Sequence, residues 1–169
     1  MVVSQFGWPY PILKAVTTLY VHRPVLNAPE IIDWFKSQGM ETMLAPEAMH
    51  VTIAYSKARV NWEALDEDEA ELLAMEPTLR RSVNTLGPKK AFVLTLEPNP
   101  WLQFRWQYFI SKGASWDWPG YQPHITLTYN TDSNNVFFPF PGAILLGPEC
   151  FAELTDFDPV TDLVEKNRV

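Results

Sequence analysis

Two triplets of the chain could do chemistry together: His50-Val51-Thr52 and His124-Ile125-Thr126. Histidine ordinarily titrates near pH ~6.5, so it can take or give a proton at neutral pH. A threonine hydroxyl can donate to an oxygen on which charge develops. On a strand, alternation turns His50 and Thr52 to one face and Val51 to the other, and His124 and Thr126 likewise away from Ile125. Two such faces across one cleft would set an imidazole on either side of a phosphorus atom. One could deprotonate an attacking hydroxyl while the other protonates the departing oxygen, with two hydroxyls left for the non-bridging oxygens. In-line phosphoryl transfer is the reaction that uses such a set. No metal is expected, because the chain has three histidines and one cysteine and no carboxylate cluster adjoins either triplet.

The triplets belong to a longer internal repeat. With the sequence laid on itself at an offset of 74 residues, Pro24 meets Pro98, Trp34 meets Tyr108, Phe35 meets Phe109, Ser37 meets Ser111 and Gly39 meets Gly113. His50, Thr52 and Tyr55 then fall on His124, Thr126 and Tyr129 in the same ungapped register. A packing role alone gives no reason for identical His-x-Thr patterns in both copies.

Each copy reads as strand, helix, strand. Residues 14–25 and 89–97 are rich in Val, Leu, Thr and Phe, which suits strands. Asn27 with Glu30 resembles a capping box, and Ile31, Trp34 and Phe35 follow helical spacing to a left-handed stop at Gly39. The second helix starts near Pro100 and stops at Gly113, and the second strands cover 49–56 and 122–130. Further strands are expected at 78–86, around 143–146 and around 151–154. The expected fold class is α+β, with two lobes related by a pseudo-twofold axis and mostly antiparallel sheets around a central cleft. Within a single domain of residues 1–169, lobe one spans about 15–62, a linker 63–77 and lobe two 78–155, with a tail at 156–169. Strict alternation puts Ala54 beside His50 and Thr128 beside His124, and sends Tyr55 and Tyr129 to the core. His22 reads as a structural histidine and Cys150 as a small apolar filler.

Composition narrows the partners. The 169 residues are 47% hydrophobic and 20% charged, enough to bury a core without staples. One cysteine excludes an intramolecular disulfide framework and points to a reducing compartment. The start has no basic region before its apolar stretch, and no uncharged apolar run reaches the ~18 residues of a membrane span, so a soluble protein without a secretory signal is expected. The formal charge of −7 disfavours a long nucleic acid, which is held by many Lys and Arg contacts. Seven carboxylates between Glu63 and Glu76 account for all of it, and this run reads as a solvated linker or helix face. Residues 77–148 carry six bases against three acids, which leaves room for a small anionic ligand.

The paired His-x-Thr motifs resemble those of the two-histidine phosphoesterase superfamily, across both lobes. More narrowly, Thr18–Asn27, Met49–Ser56, Gly113–Tyr129 and Ile144–Phe151 resemble the phage anti-CBASS phosphodiesterases. The resemblance implies a cofactor-free and metal-independent cleavage of the 3′-5′ linkages of adenine-containing cyclic di- or trinucleotides. One histidine would activate the ribose 2′-hydroxyl and the other protonate the 5′-oxygen, giving a 2′,3′-cyclic phosphate. Which does which stays open. The protein would be a monomer in the cytoplasm of an infected bacterium, silencing the CBASS signal. Alternatives are cleavage of RNA 2′,3′-cyclic phosphates or 2′-5′ linkages, and nucleotide binding without turnover. The resemblance also maps an adenine-reading glutamate to Glu149 and an active-site tyrosine to Tyr20. Trp116, Trp118 and Tyr121 crowd the approach to His124, and Trp118 and Tyr121 are expected to contact a base. Trp62 is the linker's single tryptophan.

Overall fold

The computed structural model describes residues 16–154 apart from 89, 98 and 133. The chain runs β1 (Val16–Pro24), α1 (Ala28–Ser37), β2 (His50–Asn61), β3 (Leu73–Met75), β4 (Ser82–Leu86), β5 (Ala91–Thr95), α2 (Pro100–Ser111), β6 (His124–Thr128), β7 (Ile144–Leu146) and β8 (Cys150–Ala152). Six strands form one sheet in the order β4-β5-β6-β2-β1-β8, and β3 pairs with β7 in a second. Every described pairing is antiparallel. The α+β, mostly antiparallel architecture expected from the repeat is therefore present.

The repeat explains the order of the sheet. β2 and β6 lie side by side at the centre, joined at Val51↔Ile125, and β1 and β5 flank them. A twofold through that pair exchanges the copies. Beneath it, Ile31, Ile32 and Phe35 of α1, and Leu102 and Phe109 of α2, are buried with Val21, Val51, Ile125 and Leu127 in one apolar cluster. The paired glycines end both helices in the same left-handed turn, Gly39 at φ +96° and Gly113 at φ +99°.

Four local expectations are corrected. First, Pro24 pairs with His50 as Thr95 pairs with His124, so the first strands are related by 71 residues and the match of Pro24 to Pro98 is coincidental. The copies therefore differ in length between first strand and helix. Second, the capping box does not form. Pro29 supplies no N–H in the first turn, and the Asn27 side chain instead donates to the Ala143 carbonyl (2.8 Å) and accepts from the Leu145 N–H (3.0 Å). Asn99 does cap α2, accepting from the N–H groups of Trp101 and Leu102. Third, β4 starts at Ser82 rather than 78, because Arg81 turns inward and donates to the carbonyls of Phe140, Gly142 and Glu76.

The fourth correction concerns the acidic run. It is not wholly solvated, and it contains the unexpected strand β3. Asp68 pairs with the fully buried Arg23 and accepts from the Trp101 indole at 2.6 Å. Burial works to raise the Asp68 carboxyl, but the bonds from Trp101, the Ala70 N–H and Arg23 together hold it below the usual value of 3.8. Arg105 donates to the Asp66 carbonyl (3.0 Å), and the Tyr108 hydroxyl meets the Asp66 N–H (2.6 Å), so α2 holds the same segment.

Candidate active site

The central strand pair builds the site. With Val51 opposite Ile125 in an antiparallel ladder, the next positions bring His50 beside Thr126 and Thr52 beside His124. Val51 and Ile125 are fully buried in the apolar cluster, so the four polar side chains share the opposite face. They form a compact quartet with the two imidazoles at opposite corners. All four are buried: His50 8%, Thr52 5%, His124 5% and Thr126 2% exposed.

Both imidazoles are oriented by the same device. His50 Nδ1 lies 2.7 Å from the Ala48 carbonyl and His124 Nδ1 lies 2.9 Å from the Gln122 carbonyl, each two residues earlier in the chain. A carbonyl can only accept, so Nδ1 carries the proton and Nε2 is the nitrogen that can exchange one. The Thr126 hydroxyl is buried without a hydrogen-bond partner among the described residues. Leaving a hydroxyl so placed costs about 1–3 kcal/mol, a cost that a bound ligand can offset. Its counterpart, the Thr52 hydroxyl, lies 3.3 Å from the Tyr20 hydroxyl.

The repeat contains a feature that strict alternation hides. Between Val21↔Ala54 and His22↔Thr52, β2 has one extra residue, Ile53; between Phe92↔Thr128 and Val93↔Thr126, β6 has Leu127. Each is a β-bulge, and beyond it the faces are exchanged. Tyr55, expected in the core, therefore joins the site face. It pairs with Tyr20, the rings 6.3 Å apart, and Trp118 packs on it at 5.7 Å. Ala54 and Thr128 turn the other way; Thr128 lies opposite Phe92, whose ring packs on Phe137 of the core.

His22, read from sequence as a structural histidine, lies against the site. It stacks on Tyr20 (5.1 Å, 22°), and its ring meets His50 edge-on at 5.2 Å. Its position two residues from Tyr20 on one strand puts both on a shared face, as alternation expects. All three histidines of the chain thus cluster on the site face or its margin.

Other expected contacts fall elsewhere. Tyr121 stacks on Trp106 of α2 (5.7 Å, 9°) and donates its hydroxyl to the Thr52 carbonyl at 2.8 Å. Burial, then the nearby Glu149 charge, pushes that hydroxyl far above its ordinary value. It braces the strand that carries Thr52 rather than offering an open ring. Glu149 is also committed: both oxygens are held by Arg105, at 2.8 and 2.7 Å, and its side chain is 2% exposed. Burial alone would make the Arg105 guanidinium easier to deprotonate, but its pairing with Glu149 prevails and raises it.

Trp62 is a core residue, 1% exposed, with its indole donating to the Thr18 carbonyl. Trp116 packs against Trp118 and donates to the Gly120 carbonyl, closing its own loop. Cys150 lies opposite His22, and burial raises its thiol despite the nearby Arg23. Among the described residues no group of three His, Cys, Asp or Glu side chains could hold a metal ion, and no helix is long and apolar enough to cross a membrane.

Known proteins resemble this chain in fold and in sequence. The chain resembles the solved structure of E. coli LigT complexed with phosphate, at a TM-score of 0.54 and 15% identity over 85% of this chain and 91% of that one. The solved structure of a phosphoesterase gives a TM-score of 0.54 at 14% identity, over 85% of this chain and 92% of that one. The fold is thus LigT-like. An anti-CBASS protein Acb1 of Sphingomonas paeninsulae is 36% identical over 160 residues, 88% of this chain and 26% of that protein. One from Caulobacter is 37% identical over 82% of this chain and 23% of its own length. The chain therefore spans about a quarter of those two relatives. One from Acinetobacter phage Ac42 is 31% identical over 53% of this chain and 57% of its own length. The family model of anti-CBASS protein Acb1 matches residues 17–159, and the chain belongs to that family.

Proposed function

We propose that this protein is a phosphodiesterase that linearises adenine-containing cyclic di- or trinucleotides at a 3′-5′ linkage, without a metal. The observation that carries this reading is the buried quartet of two Nδ1-anchored imidazoles and two threonines on adjacent strands. One imidazole Nε2 removes the proton of the ribose 2′-hydroxyl. The 2′-oxygen attacks phosphorus as the bond to the 5′-oxygen breaks, and the second imidazole supplies the proton that this oxygen takes. Thr52 and Thr126 donate to the non-bridging oxygens. Water then opens the 2′,3′-cyclic phosphate with the two roles exchanged. Tyr20 and Trp118 border the substrate, whereas Tyr121 positions the Thr52 strand.

A charge of −7 suits a small ligand better than a polynucleotide. The family relation supports a cyclic oligonucleotide of CBASS signalling as that ligand and the host cytoplasm as the place of action, with a monomer sufficient for the site.

Mass spectrometry of products, with EDTA present, tests the reading on a panel of cyclic di- and trinucleotides beside an oligoribonucleotide. Linear products from an adenine-containing ring, faster than from the oligoribonucleotide, are expected. The reverse preference establishes the RNA-processing alternative. Recovery of every ring intact, with ligand bound, establishes a binding protein.

A further inference from the structure

We infer that the cleft where β4 and β5 run beside His124 receives a second base of the cyclic nucleotide, and that Glu97 and Arg80 make it select guanine. This rests on the phosphodiesterase reading and deepens it. The register of the strands places the cleft. Thr52 and His124 lie side by side across the central pair, Thr95 pairs with His124, and Ser82 pairs with Thr95. Residues directly opposite in an antiparallel ladder turn their side chains to one face, so a polar row runs from the site across β5 to β4. Along that row Thr95 stands about 5 Å and Ser82 about 10 Å from His124. A nucleoside covers that span from a phosphate held at the imidazole. At the outer end of the row Arg80, Ser82, Thr95, Glu97 and Gln122 line a cleft of about 520 Å³.

The Asn84 amide donates one N–H to the Ser82 hydroxyl and one to the Thr95 hydroxyl, both at 2.8 Å. Each oxygen thereby accepts, and keeps its own O–H to donate into the cleft. The Gln122 side chain donates to the Leu96 carbonyl at 2.9 Å, while its backbone carbonyl holds His124 Nδ1. The wall of the cleft is therefore continuous with the anchor of the imidazole.

Arg80 adds a fork of N–H donors and Glu97 two acceptor oxygens. Their charges cancel, so the cleft does not favour a phosphate, which would meet the Glu97 carboxylate. A neutral group with donors and acceptors on neighbouring edges suits it. Of the four common bases, only guanine sets two N–H donors side by side, N1–H and the N2 amine, which one carboxylate accepts together. Its O6 and N7 accept from an arginine. Adenine sets one amine beside acceptors, the pattern that an amide side chain matches and a carboxylate does not.

Calorimetric titration with rings built on 2′-deoxyribose, which lack the attacking hydroxyl, measures binding without turnover. The adenine-guanine ring should bind about 10-fold or more tightly than one in which hypoxanthine replaces guanine and only the N2 amine is lost. In Glu97→Gln that difference should vanish. The ring of two adenines should then gain about 5-fold or more relative to the adenine-guanine ring, a reversal that loss of packing does not produce. Arg80→Met should weaken the adenine-guanine ring more than the ring of two adenines. Burial makes Arg81 easier to deprotonate and the Glu97 charge opposes this, so thermal unfolding of Glu97→Gln is measured alongside. The hypoxanthine comparison needs no variant.

Equal binding of the guanine and hypoxanthine rings by the unaltered protein, or a preference that Glu97→Gln leaves in place, overturns the subsite. Uniform weakening of every ring by Arg80→Met does the same, and assigns the cleft to a phosphate. Cleavage of ribose rings without regard to the second base overturns the subsite and leaves the phosphodiesterase reading intact. Guanine-selective binding with no ribose ring cleaved removes that reading and keeps the subsite. Binding of no ring overturns both.

Discussion

The two copies agree on the strands where they meet and diverge one layer away. β2 and β6 carry the same triplet, the same bulge after it and the same carbonyl anchor on Nδ1. On the outer side β1 offers Tyr20 and His22, while β5 offers Val93 and Thr95. Below the sheet, Ile31 of α1 is fully buried, while its counterpart at the 74-residue offset, Arg105 of α2, is buried against Glu149. The lesson is a division of labour. On the proposed reading, proton transfer at phosphorus uses two imidazoles, and the duplicated centre carries one in each copy. The flanking strands differ, so the two sides of the central pair have unlike surroundings.

The helix layer offers the largest effect with which to break this comparison. Glu149→Ala leaves the Arg105 guanidinium buried and unpaired, and should cost about 3–5 kcal/mol in denaturant unfolding. Converting both partners to apolar residues, Arg105→Ile with Glu149→Leu, imitates copy one and should recover most of that loss. If Glu149→Ala unfolds like the parent protein but loses selectivity for adenine, Glu149 contacts the substrate after all.

The threonines come next. Thr126→Val removes a hydroxyl that is buried without a partner among the described residues, so thermal stability should hold or rise while single-turnover cleavage slows about 100-fold. Thr52→Val should slow cleavage similarly, and because it also breaks the contact with Tyr20 it should cost about 1 kcal/mol of stability. Equal stability of the two variants would show that the Tyr20 contact does not distinguish the copies.

The smallest effect is expected at the helix stops. Gly39→Ala and Gly113→Ala each place a Cβ on a left-handed residue, costing about 1–2 kcal/mol. At Gly113 the added carbon meets nothing within 4 Å, whereas at Gly39 it lies 3.4 Å from the Asn135 amide, so Gly39→Ala should be no less destabilising.

Much of this was legible in the sequence because duplication writes a pattern twice. The offset of 74 aligned both helices, both stops and both triplets, and alternation placed His50 with Thr52 and His124 with Thr126. What escaped was set by tertiary geometry. A bulge leaves no local signature in Ile53 or Leu127, yet it turns Tyr55 toward the site and Thr128 away from it. The capping box at Asn27 lost to a better use of the same amide, holding the segment that leads into β7. Asp68 looked like one acid among seven until the fold put Arg23 beside it. Glu149 was mapped by resemblance and Tyr121 by its place before His124; their partners, Arg105 and the Thr52 carbonyl, are distant in sequence and were not legible.

The central claim is that His50 and His124 act on one phosphorus atom in one transition state. Single-turnover cleavage of a cyclic dinucleotide by His50→Ala, His124→Ala and the double variant measures this most directly. Each single change should slow cleavage by about 10³-fold or more, and combining them should add little, as for groups that work as a unit. Losses that multiply in the double variant, or near-parental cleavage by either single one, would contradict the account.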